Sequence, residues 1–118
     1  MSNTNPLRRK KCQPCQGDST AILSAAAARK HSAGLPGWKL TNDSKSLRKL
    51  FVMSNFKAAV EFINRIMPVA EKEDHHPDFH LTGYRQLAVE LSTHSIGGLS
   101  LNDFIMAAKI EALPKKLK

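Results

Sequence analysis

The sequence predicts an α+β domain in which helices pack on one face of a four-stranded, mainly antiparallel sheet. Apolar residues recur at helical spacing in three stretches, and between them lie short apolar runs bounded by turn residues. The order that results is helix, two strands, helix, two strands, helix. Strands that arrive in sequential pairs form hairpins rather than crossovers, which places the helices together on one side.

Each element has a local reason. Asp18 or Ser19 is placed to cap a helix from about Thr20 to Lys30, which runs through four consecutive alanines and stops at Gly34 to Gly37. Trp38 to Leu40 and Lys45 to Met53 read as strands around a TNDS turn, with Arg48 and Lys49 interrupting the second. From Asn55, a suitable N-cap, Phe56, Ala59, Val60, Ile63, Ile66, Met67 and Ala70 follow helical spacing. Pro68 lies inside that helix and predicts a kink or a new cap, because proline removes an amide donor and crowds the preceding turn. Residues from His80 to Tyr84 can extend, and Leu87, Val89 and Leu91 alternate with Ala88, Glu90 and Ser92 as in a strand with one buried face. Gly97 and Gly98 mark a turn. Ser100 and Asp103 then form a capping box for a last helix through Ile105, Ala108 and Ile110 to Leu113, ended by Pro114.

At 118 residues and 42% apolar content the chain has the size and composition of one packed domain, expected over residues 19–114. Residues 1–18 read as a disordered or loosely attached basic arm and 115–118 as a basic tail. The formal charge of +8 resides mostly in these ends, and the body carries only +2. That distribution, without an aromatic-lined basic face, does not favour specific nucleic-acid binding. No run approaches the roughly 18 apolar residues of a membrane span, and none follows the basic start to make a secretory signal. The expected setting is soluble and intracellular: cytoplasm, with the nucleus as a second compartment. Cys12 and Cys15 form a lone CxxC without a second close pair, which is read as a reduced segment rather than a zinc or redox site.

The stretch EKEDHHPDFH holds three of the five histidines. Glu71 and His75 are four apart, so a shared helix face would let the carboxylate orient the imidazole. Pro77 forces an extended exit after His76. His94 follows the strand QLAVELST beside the Gly97–Gly98 turn, where the backbone or a ligand can come close. Imidazole titrates near neutrality and both gives and takes protons, so acid/base chemistry fits. A solvated polar loop and, with three histidines, a metal site remain alternatives, although neighbouring histidines are a poor ligand spacing.

The series Glu71, His75-His76-Pro77, Tyr84, His94, Asp103 resembles the signature of the pterin-4a-carbinolamine dehydratases. The similarity extends through LPGW, KLFVM, NFKAAVEFINRI, HHPDFHLTGY, LSTHSIGGLS and NDFIMAAKIEAL, roughly residues 19 to 113. The resemblance implies dehydration of 4a-hydroxytetrahydropterin to quinonoid dihydropterin and water in tetrahydrobiopterin recycling, with no metal and no cofactor. It implies that His75 and His94 deliver protons to the 4a-hydroxyl and that His76 holds the pterin and assists proton removal. Glu71 would orient His75, and Asp103 would support the His94 side. Trp38 is expected in the core rather than in a pocket wall, while Tyr84 stays open between the two. Glu73, Asp74, Asp78 and His80 are expected to be solvated. The resemblance further implies a homo-tetramer or homo-dimer, and its alternative function is that of a dimerisation cofactor or scaffold acting as a transcriptional coactivator. Phe104, Ile105, Ile110 and Leu113, spread around the last helix, predict apolar surface left over for such an assembly.

Overall fold

The computed structural model describes residues 6–10, 22–41, 43–93 and 96–118. Its regular elements are a 3-10 turn at Pro6–Arg9, α1 (Ala25–Ala33), β1 (Lys39–Leu40), β2 (Leu47–Val52), α2 (Phe56–Glu73), β3 (Asp78–Thr82), β4 (Gln86–Leu91) and α3 (Leu101–Ala112). The four strands form one antiparallel sheet in the order β1-β2-β4-β3. This is the predicted α+β architecture.

Register decides which side of the sheet is buried. The pairs Leu47–Leu91, Phe51–Leu87 and Val89–Phe79 point to the helices and join Phe62, Ile66, Phe104, Ile105 and Met106 in the core. Arg48, Leu50, His80 and Gln86 occupy the outer face and are exposed. Ala88 shares that face yet is buried, because its partners Leu50 and His80 flank so small a side chain. Lys49, read from sequence as an interruption, lies on the inner face: its amine sits 4.8 Å from the centre of the Phe51 ring and pairs with Glu111. Glu111 also accepts from Trp38 Nε1 at 3.0 Å, so Trp38 is a core residue with its polar atom satisfied.

Helix ends set the remaining geometry. The cap expected for α1 at Asp18 or Ser19 lies outside the described residues; the helix begins later, at Ser24, whose side chain accepts from Ala27 N at 3.1 Å. Ile22 and Leu23 are outside the helix, and Leu23 N donates to Leu99 O. Asn55 caps α2 as predicted, accepting from Ala58 N at 2.8 Å. No new cap forms at Pro68, and α2 continues through it as one helix. Pro68 and Asn64, whose carbonyl loses its helical donor, are both exposed, so water can take that donor's place. At the other end Asp74 adopts φ +53, and Asp74 N to Glu71 O with His75 N to Ala70 O close a Schellman motif.

Two parts of the chain are more firmly held than the sequence suggests. Of the arm expected to be loose, Pro6–Arg9 packs against α3 with Leu7 buried, and Lys109 Nζ donates to Arg8 O at 3.0 Å. That turn, with the His31 ring 5.3 Å from Phe104, covers the apolar surface of α3 that had suggested a partner; Asn102 through Ala108 and Ile110 are all buried within one chain. The C-terminal tail is also docked. Ser54 N donates to Lys116 O and Lys118 N to Val52 O, so the tail pairs with the part of β2 that the short β1 leaves open. Lys115 turns inward over the Phe62 ring and donates to Glu111 O and Leu113 O. Burial lowers its pKa below the ordinary lysine value of 10.5; Glu111 opposes that shift and Lys49 adds to it.

Two outcomes follow from these ends. An aspartate tolerates the left-handed region better than most side chains, so Asp74→Ala should cost about 1 kcal/mol in denaturant unfolding while Asp74→Gly should not. For Lys115, the unfolded chain binds more protons than the folded one between the lowered value and 10.5. Stability should therefore rise with pH through that alkaline window, more steeply in the wild type than in Lys115→Met, as read from denaturation midpoints.

Candidate active site

The Schellman close of α2 separates two neighbouring histidines. The left-handed turn at Asp74 takes His75 off the helix and into the protein, where it is only 5% exposed. Pro77 then draws the chain into β3, and His76 comes out exposed.

Each histidine meets a carboxylate, but the pairing differs from the sequence expectation. His75 Nε2 lies 2.7 Å from Asp103 Oδ1, and His76 Nε2 lies 2.7 Å from Glu71 Oε2. Glu71 thus partners His76 rather than orienting His75. The i,i+4 geometry requires both residues on one helix, and His75 has already left it. The His75–Asp103 pair is buried, whereas the His76–Glu71 pair is open to solvent. A pair in water contributes little to stability, so the second is better suited to meeting a ligand than to holding the fold.

Asp103 is the most enclosed member, fully buried at 0% exposure. Its Oδ2 accepts from Thr93 Oγ1 at 2.8 Å and from Ser100 N at 3.0 Å. Thr93 Oγ1 also meets Ser100 Oγ at 2.8 Å. The capping box predicted at Ser100 and Asp103 is present, and the same carboxylate that caps α3 also holds His75. Thr93 and Ser100 were missed as site residues. Ser100 was legible only as a helix cap, and Thr93 carried no signal beyond preceding His94.

His94 lies outside the described residues, as do Cys12 and Cys15. Among the described residues on either side of it, Thr93 N donates to Gly98 O at 2.8 Å and Ile96 N to Thr93 O at 3.1 Å. Gly97 turns with φ +68, while the space a Cβ of Gly98 would need is filled by Ile22. Tyr84 is neither core nor pocket wall. It is 59% exposed at the β3–β4 turn, about 17 Å along a five-residue strand from the histidines. Glu73, expected in solvent, is buried 3.8 Å from Lys109; Asp74, Asp78 and His80 are exposed as expected. Among the described residues no group of three His, Cys, Asp or Glu side chains is placed to hold a metal, and no helix is long and apolar enough to cross a membrane.

One imidazole locked to a buried carboxylate beside a second that is open to ligand is an arrangement for moving protons. Comparison with known proteins identifies the family. The sequence model of the family described as Pterin 4 alpha carbinolamine dehydratase matches residues 21–113. Pterin-4-alpha-carbinolamine dehydratase 2, mitochondrial, of Arabidopsis thaliana is 38% identical over 91% of this chain, which spans 58% of that protein's length. A Halorhodospira halophila protein provisionally named a pterin-4-alpha-carbinolamine dehydratase is 44% identical over 91% of this chain and 96% of its own. The crystal structure of a transcriptional coactivator/pterin dehydratase from Brucella melitensis superposes with a TM-score of 0.73 at 29% identity, covering 78% of this chain and 97% of that one. With the match reaching from before α1 to the end of α3, the chain belongs to the pterin-4a-carbinolamine dehydratase family.

Proposed function

We propose that this protein dehydrates 4a-hydroxytetrahydropterin to quinonoid dihydropterin, a step in tetrahydrobiopterin recycling. The observation that carries the reading is the pair of histidine–carboxylate contacts, one buried and one exposed, on consecutive residues. The reaction breaks the bond between C4a and its hydroxyl. An acid gives a proton to that oxygen, water leaves, and a base takes a proton from the ring, so nothing is oxidised and no redox cofactor is called for. His75 and His94 serve as the proton donors at the 4a-hydroxyl. His76, in the open, holds the pterin and assists removal of the ring proton, with Glu71 orienting it. Asp103 engages Nε2 of His75 and so fixes the orientation of its ring.

The assembly is a homo-oligomer, and its surface is on α2 rather than α3. Phe56 and Met67, each 55% exposed, stand on one side of α2 with half-buried Val60 and Ile63 between them. Their spacing of four, three and four residues is that of a helix seam that packs against another helix. A partner role is the second reading, favoured by the Brucella relative, whose name joins transcriptional coactivator to pterin dehydratase.

His75→Ala and His94→Ala should each lower kcat by about 10²- to 10⁴-fold, measured as decay of the carbinolamine absorbance in stopped flow against the uncatalysed rate. Turnover should be unchanged by a chelator. Near-normal rates in both variants, or loss of activity that zinc restores, would sink the acid/base assignment. Met67→Glu should shift the mass seen by light scattering toward the monomer; a wild type that is already monomeric contradicts the α2 seam.

A further inference from the structure

The hydroxyl groups beside Asp103 have a fixed direction. The Ser100 amide can only donate, and it donates to Asp103 Oδ2. The single hydroxyl hydrogen of Thr93 goes to the same oxygen, so the hydrogen between Thr93 and Ser100 must come from the Ser100 hydroxyl. A one-way chain results: Ser100 donates to Thr93, Thr93 to Asp103, and the other carboxylate oxygen takes His75 Nε2. Thr93, Ser100 and Asp103 are all essentially inaccessible to water, so no solvent molecule stands ready to replace a lost donor.

We propose that Thr93 and Ser100 are positioning residues for proton transfer, with Thr93 acting through the Asp103 carboxylate to set the His75 ring. Thr93 immediately precedes His94 and donates to the oxygen that, with its twin, fixes the plane in which His75 is held. The inference rests on the dehydratase reading for its effect on rate but not for the hydrogen-bond chain itself. Thr93 also has a backbone anchor, Thr93 N to Gly98 O, which a side-chain change leaves in place. Removing the hydroxyl should therefore loosen the carboxylate without unfolding the turn.

The test compares Thr93→Val, which keeps the shape and loses the donor, with Thr93→Ser, which keeps the donor. Thr93→Val should lower kcat roughly tenfold with KM little changed and displace one limb of the kcat pH profile, while Thr93→Ser should stay within about twofold of wild type. Ser100→Ala, which leaves the Ser100 amide on Asp103, should fall between them. Imidazole nitrogen NMR of the substrate-free protein supplies a readout independent of turnover. The Nε2–H signal of His75, protected from exchange in the wild type, should exchange faster in Thr93→Val and be retained in Thr93→Ser. A wild type without dehydratase activity would remove the functional reading and leave this NMR comparison to decide the chain. Wild-type kcat and pH profile in Thr93→Val, an unchanged His75 signal in that variant, or equal impairment in Thr93→Ser would each overturn the proposal.

Discussion

The structure depends on burying one charge, the carboxylate of Asp103. Taking an ionised group out of water is costly unless every acceptor site is answered, and removing one partner leaves the rest exposed to that cost. Here the answers come from three places in the chain: the end of α2 through His75, the end of β4 through Thr93, and the start of α3 through Ser100. These are the junctions at which helix, sheet and helix must meet for the core to close. Apolar packing of Phe62, Phe104 and Leu87 supplies the drive to collapse, but it is tolerant of small shifts. Directional bonds to a buried carboxylate are not, so Asp103 converts a collapsed sandwich into one arrangement of its junctions.

That constraint explains why consecutive histidines have opposite surroundings. A helix that ran on through Asp74 would have kept His75 on the face of Glu71 and in solvent. The left-handed residue at Asp74 ends the helix one step early, and the Schellman bonds direct His75 toward Asp103. His76, five residues beyond Glu71, then returns to it from outside the helix. One turn of backbone thereby makes a fixed, buried histidine and an adaptable, exposed one.

What the sequence showed and what it concealed divide along the distance over which each interaction is decided. Asn55 as a cap, the Ser100–Asp103 box, the glycine turn and the alternation of β4 are settled within a few residues, and all were legible. The histidine partners were not, because His75 and Asp103 are 28 residues apart and only the packed fold brings them together. The surplus apolar face of α3 was real but was assigned to the wrong cover, since nothing local announces that Leu7 will fold back on it. Tyr84, though part of the residue series that carried the family resemblance, stands at the opposite end of β3 from the histidines, so its place in that series does not put it in the site.

The basic composition acquires a different meaning on the same grounds. Lys49 lies along the inner face of the sheet to reach Glu111, Lys109 ties the N-terminal turn to α3 through Arg8 O, and Lys115 fastens the end of α3 by its carbonyls. Long stems let these amines reach acceptors inside the fold, those of Lys49 and Lys115 lying over the Phe51 and Phe62 rings, a use of lysine that needs no polyanion. Pro6–Arg9 of the expected arm and the expected basic tail are joined to the core through such contacts and through the strand pairing of residues 116–118. Part of the formal positive charge is thereby committed to closing the fold at the margins of α3, the helix whose first turn carries Asp103. Holding the far end of that helix against the sheet and the N-terminal turn keeps its start in place, so the cationic ends support the site without touching it.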